Sequence, residues 1–161
     1  MDSRCVQPQG DGDVLSQALK MVRRHRGMTA IAVAKQMQVP LRTYERFEAG
    51  GNRLNLDYIR RFAVATKSDA NAIVMAVLIG SPSLARHSAD NKLVTTVTIG
   101  SARFNALLGE DIARLDARAI ILAVCAMYDD LIAEHDRQQL ASRWLEQGAR
   151  ELPQPPPQRD R

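Results

Sequence analysis

Over the first eighty positions, apolar residues recur at the three- and four-residue spacing of amphipathic helices, in short runs separated by polar or glycine breaks. Val14, Leu15, Ala18, Leu19 and Val22 predict a helix over about 14–26, capped by Asp13 and stopped by Gly27. Arg23, Arg24 and Arg26 fall in its last turn, where cations oppose the negative end of the helix dipole. Thr29 is a good N-cap for a second helix, about 30–37, with Ile31, Ala34 and Met37 inward. Val39-Pro40 opens a third, about 41–49, because a proline is unpenalised where its missing N–H has no helical partner. Gly50-Gly51 ends it. A fourth helix starts at Asn55 or Leu56, turns Leu56, Ile59, Phe62 and Ala63 inward and ends near Lys67. Asp69 starts a fifth, 70–79, almost wholly apolar and closed by Gly80-Ser81-Pro82.

The pattern then loosens. Residues 81–90 read as a linker or loose turn. The run Val94 to Ile99 is β-branched enough for a strand, but Leu93, Val97, Phe104, Leu107 and Leu108, with small Gly100 and Ser101 between, keep helical spacing, so a helix is expected over 91–108. Asp116 caps an apolar helix, 117–134, carrying Ile120, Ile121, Val124, Met127, Tyr128, Leu131 and Ile132. A last amphipathic helix, 137–148, carries Leu140, Trp144 and Leu145. Residues 1–12 are expected to be a disordered tail, and the proline-rich 151–161 a second one. The fold class is therefore all-α: a helical domain over 13–80, a linker over 81–90 and a helical C-terminal region over 91–150.

Charge sharpens this picture. The net charge of +4 is unevenly placed. Residues 1–67 hold 12 Lys/Arg against 6 Asp/Glu, whereas 68–161 hold 10 against 12, so the basic excess lies wholly on the N-terminal helices. Phosphate neutralisation dominates nucleic-acid affinity, so that half is the candidate for binding DNA. No apolar run reaches the length that spans a bilayer, and the polar start MDSRCVQPQGDGD has no signal-peptide core; a cytoplasmic location is expected. Cys5 and Cys125 have neither metal nor redox spacing, and read as a tail thiol and a small buried hydrophobe.

Residues 28–50, MTAIAVAKQMQVPLRTYERFEAG, have the layout of two short helices and a tight turn, the second helix bearing arginines. Met28-Thr29, Val33-Ala34, Met37, Val39, Tyr44, Phe47, Glu48 and Gly50 fall without a gap on the pattern of the Cro/repressor-type (XRE) helix-turn-helix, which this stretch resembles. The likeness extends to the five-helix layout of about 13–80, half the chain. It implies a five-helix repressor-like DNA-binding domain whose third helix enters the major groove. By that resemblance Leu41, Arg42, Thr43, Glu45 and Arg46 are the base-reading positions. Arg42 and Arg46 lead, since arginine donates two hydrogen bonds to guanine O6 and N7. Glu45 suits a cytosine amine or a neighbouring arginine, and Thr43 a phosphate or a thymine methyl. Three departures stand out: Gln38 where the turn usually has Gly, Ala30 where a phosphate-binding Gln is common, and Pro40 in place of a Ser/Thr cap. Phosphate contacts are accordingly expected from Arg26, Thr29, Lys35, Arg53 and Arg60.

The second half carries no catalytic signature. After Lys67 the sole lysine is Lys92, which does not suit the Ser/Lys pair of self-cleaving repressors on a β-rich domain. His25, His87 and His135 are scattered, Asp129 and Asp130 point apart on one helix, and the glycine-rich spots lack a Walker lysine. No enzyme, metal or cofactor is expected. The expected partners are double-stranded DNA and a second copy of the chain through the helices at 91–108 and 117–134, with RNA polymerase or another transcription factor as a further partner of the acidic, apolar 110–134 segment. The layout resembles small regulators, repressor or activator, of phage-derived gene clusters. The alternative is an interaction module, antitoxin-like or polymerase-binding, that has kept the fold without sequence-specific DNA binding.

Overall fold

The computed structural model describes residues 10–51 and 54–151. In chain order these form α1 (Asp11–His25), α2 (Ala30–Gln36), α3 (Leu41–Glu48), α4 (Leu56–Thr66), α5 (Ala70–Leu78), α6 (Pro82–His87), α7 (Leu93–Leu108), a 3₁₀ turn (Gly109–Arg114) and α8 (Ala117–Glu151). Among the described residues there is no strand, so the fold is all-α. None of these helices is long and apolar enough to cross a membrane. The chain divides into two compact units that meet in sequence at Leu107 and Leu108.

In the first unit, each of α1 to α5 ends in the same hydrogen-bonded turn. A residue with positive φ donates its N–H three residues back, and the next residue donates five back. Gly27, Gln38, Gly50, Lys67 and Gly80 take that left-handed position. Gln38, standing where such a turn usually has Gly, takes that position with a side chain, at φ of 55°; the Gln38 and Val39 N–H groups bond the Lys35 and Ala34 carbonyls at 3.1 Å each. N-termini are capped as the sequence suggests for three helices: Thr29 Oγ1 accepts from Ala32, Asn55 Oδ1 from Asp57 and Tyr58, and Asp69 Oδ1 from Asn71 and Ala72. α1 differs. It starts at Asp11 behind Gly10, so Asp11 and Gly12 belong to the helix and not to a tail.

The core is built from Val14, Leu15, Ala18, Leu19 and Val22 of α1, Val33, Ala34 and Met37 of α2, Tyr44 and Phe47 of α3, and Ile59, Phe62 and Ala65 of α4. Two expected inward residues face out. Ile31 is 66% exposed because the seven-residue α2 buries the face made by Val33, Ala34 and Met37, about 100° away. Leu56, the first residue of α4, is exposed too.

The largest correction concerns 81–90, expected as a linker. It contains α6, packed on α1 and α5, with Ala85 and Ala89 fully buried. The cause lies in α5. That helix is apolar nearly all round, so contacts with α1 and α4 leave a face that α6 must cover.

α7 forms where expected and not as a strand. Its Thr96, Thr98 and Ser101 hydroxyls bond the carbonyl four residues back, which accommodates these residues in a helix. Its start is tied to the bundle by buried Asp69. That carboxylate accepts from the Thr95 N–H at 3.0 Å and the Thr95 hydroxyl at 2.6 Å while also capping α5.

In the second unit, the expected break between 134 and 137 is absent. α8 runs unbroken over 35 residues because Glu134-His135-Asp136-Arg137 offers neither Gly nor Pro. Cys125, expected buried, is exposed. The N-terminal stretch 1–9 with Cys5, and the expected proline-rich tail beyond Glu151, lie outside the described residues.

Candidate nucleic-acid interface

The third helix has two chemically distinct faces. Its inner face is Tyr44, Phe47 and Glu48, all buried. Tyr44 stacks on Phe62 with centroids 6.5 Å apart, and Phe47 meets Phe62 and Tyr58 at 6.3 and 5.5 Å. Four of the seven aromatic residues in the chain thus form the seam between α3 and α4, each contact worth about 0.5–1.5 kcal/mol beyond burial.

A charged clamp joins the same face to α1. Arg23 Nε donates to Glu48 Oε1 at 2.6 Å and Arg23 Nη2 to Oε2 at 3.1 Å, a two-bond fork. The Tyr44 hydroxyl donates to Glu48 Oε1 at 2.6 Å, and Arg23 Nη1 donates to the Met28 carbonyl at 3.1 Å, just before α2. Burial alone pushes the Glu48 carboxyl up; the bonds from Arg23 and Tyr44, with the nearby positive charge, outweigh it and hold the group below its ordinary value. Burial and then the Glu48 carboxylate push Tyr44 well up, so it stays a neutral donor, and the bond to Glu48 raises Arg23.

Glycine supplies the third fastening. A Cβ on Gly12 of α1 would lie 2.7 Å from the Gly50 carbonyl oxygen, and one on Gly50 would overlap the Gly12 backbone. Only two glycines let the start of α1 and the end of α3 touch at the main chain.

Held this way, α3 presents Leu41, Arg42, Glu45 and Arg46 to solvent, with Thr43 half-buried. Neither Arg42 nor Arg46 makes an ion pair or side-chain hydrogen bond among the described residues, and Glu45 does not pair with either. All five expected base-reading positions therefore sit on one short helix, four of them fully on its open side.

The expected phosphate contacts separate. Lys35 is exposed on α2. Arg60 is exposed beside an open cleft of about 350 Å³ lined by Gln36, Met37, Gln38, Arg61 and Val64, next to the turn. The Thr29 oxygen is occupied as the α2 cap, though its O–H remains a donor. Arg26 is turned inward to structural work. It donates to the Thr66 carbonyl at 2.9 Å and the Lys67 carbonyl at 3.0 Å, and pairs with Asp90 at 2.7 Å. Its guanidinium thus pins the end of α4 to the segment after α6. Arg53 lies outside the described residues.

Arg23, Glu48 and Gly12 position the candidate face, a role the sequence alone did not assign to any of them. A signal existed for the ion pair: Glu48 is four residues from Tyr44, so it shares the buried face and requires a cationic partner. No group of three or more His, Cys, Asp or Glu side chains suited to a metal occurs among the described residues. Comparison with protein-family models, with curated proteins and with solved structures gave no match.

Proposed function

We propose that the chain is a sequence-specific DNA-binding regulator of the Cro/repressor type, which lays α3 in the major groove and acts as a homodimer. The observation that carries this reading is the two-faced α3. Its inner side is fastened by aromatic stacking, a part-buried ion-pair clamp and a glycine contact, while its outer side offers two arginines unpaired among the described residues. Rigid placement of unpaired arginine forks is what reading guanine edges requires. The basic excess over 1–67, with Lys35 and Arg60 exposed near the turn, supplies phosphate neutralisation. A two-fold pair of such units sets two α3 helices in successive major grooves, about 34 Å apart.

Selection of duplexes from a random pool, followed by mobility shift, tests this. The full chain enriches one motif, and its affinity falls steeply with salt. Arg42→Ala or Arg46→Ala loses about 1–3 kcal/mol of preference for that motif while the helical content is kept. Lys35→Ala weakens all duplexes alike and lowers the salt slope. A chain that enriches no motif and shows no salt dependence is instead an interaction module, antitoxin-like or polymerase-binding.

A further inference from the structure

Acidic residues are few in the basic half of the chain, and those described there have structural tasks, with one exception. Residues 1–67 hold Asp2, Asp11, Asp13, Glu45, Glu48 and Asp57, of which Asp2 lies outside the described residues. Asp11 and Asp13 stand in the first turn of α1, where the helix dipole favours negative charge. Asp57 stands in the first turn of α4 and pairs with Arg61 at 2.9 Å. Glu48 closes the clamp with Arg23 and Tyr44. Glu45 has no such task. It falls in the last turn of α3, where a negative charge opposes the dipole. Its neighbours four residues away are Leu41 and Ala49, which carry no charge. Three residues away are Glu48, already engaged, and Arg42, which makes no ion pair with it among the described residues.

The place of Glu45 on the helix gives that free charge a consequence. At about 100° per residue it lies about 60° around α3 from Arg42 and about 100° from Arg46, so the three exposed charges share one open arc. In the α3 reading this arc faces the major groove. A carboxylate there is repelled by phosphates, and it finds no donor on guanine, which presents O6 and N7, or on thymine, which presents O4. It then gives up hydration without a bond to replace it. An exocyclic amine offsets the loss. Cytosine N4 suits a carboxylate better than adenine N6, because adenine sets its N7 acceptor beside the amine.

We propose that Glu45 sets specificity chiefly by exclusion: its carboxylate weakens binding to every duplex that does not place a cytosine amine at the base pair it faces. The proposal rests on the α3 reading of the function above and deepens it. Glu45 lies about 4.5 Å along the helix from Arg42, so the cytosine falls within about two base pairs of the guanine read by Arg42.

Duplex selection from a random pool, run with the full chain and its Glu45→Ala and Glu45→Gln variants, tests this. The parent motif contains a cytosine within about two base pairs of the position whose preference Arg42→Ala removes. In Glu45→Ala the preference for that cytosine is lost and the rest of the motif is kept, while affinity for unrelated duplexes rises roughly tenfold at about 50 mM salt. Glu45→Gln keeps the shape, removes the charge and gives the same rise. Urea midpoints of the three proteins coincide, since Glu45 makes no side-chain bond among the described residues that folding would lose. A parent that enriches no motif overturns this proposal together with the α3 reading. A motif that depends on Arg42 and Arg46, but whose cytosine both Glu45 variants keep with no gain on unrelated duplexes, overturns this proposal alone. So does a gain for Ala without one for Gln, or a displaced urea midpoint.

Discussion

α5 and the start of α8 carry the same kind of sequence, a run of Ala, Ile, Val, Leu and Met with no charge for eight or more residues. In α5 that run is closed in by α1, α4 and α6, and Ala72, Ile73, Ala76 and Val77 are buried. In α8 the side chains from Ile120 to Ile132 stand exposed. An apolar run therefore states that a helix must be covered, and leaves open by what. For α5 the cover is a six-residue helix of the same unit, too short and polar to announce itself. For α8 no cover is present among the described residues. Substitutions in the first unit should thus act on folding, and those in α8 on association.

The sharpest way to break the first unit is at its main-chain contact. Gly50→Ala places a Cβ into the Gly12 backbone at a residue whose φ is 74°. Neither side can yield, because both atoms belong to helix ends. A loss of about 4 kcal/mol is expected in urea unfolding, enough to populate the unfolded chain. Retained stability would mean that α1 and α3 are not fastened at this point.

Ile73→Ala follows. Ile73 is fully buried between helices of the first unit, and its truncation leaves a cavity that close packing fills poorly. About 3 kcal/mol is expected, read from the same unfolding curves.

The legibility of the sequence follows the same division. Helical period, Asp and Thr caps and the glycine stops marked α1 to α5 within a few residues, because those signals are local. The paired faces of α3 were readable for the same reason. What was hidden depended on distant partners. α6 was hidden because Ala85 and Ala89 are small and set among Ser, Arg, His and Asp. Gly12 was hidden because its neighbour is thirty-eight positions away. Arg26 looked like a phosphate ligand and is a clamp on the carbonyls of Thr66 and Lys67. An arginine at a helix end reads alike in sequence whether its acceptors are phosphates or carbonyls.

The clamp at Glu48 gives a pH-dependent test of the first unit. Its carboxyl binds a proton less readily in the folded chain than in the unfolded one. Acid therefore favours unfolding: the contribution is whole above the ordinary value of 4.5 and is lost as pH falls from there through the lowered folded value. Glu48→Gln leaves Arg23 without its counter-charge and should lose about 2 kcal/mol at neutral pH. As pH falls through that lowered value, the variant and the parent should converge in urea unfolding. A difference that is constant with pH would show that the charge of Glu48 does nothing for the fold.

The smallest expected effect is the counterpart that makes the comparison decisive. Ile121→Ala deletes the same atoms as Ile73→Ala, from a side chain that is 61% exposed. No packed neighbour loses contact, so no cavity forms, and helix propensity changes slightly in favour of alanine. Amide exchange at Leu19 and Ile59 in the first unit should match the parent, with a stability difference within about 0.5 kcal/mol. Sedimentation of the same sample should show weaker self-association. If exchange in the first unit rose as much as it does for Ile73→Ala, the α8 run would be covered by its own chain, and the contrast between the two helices would disappear.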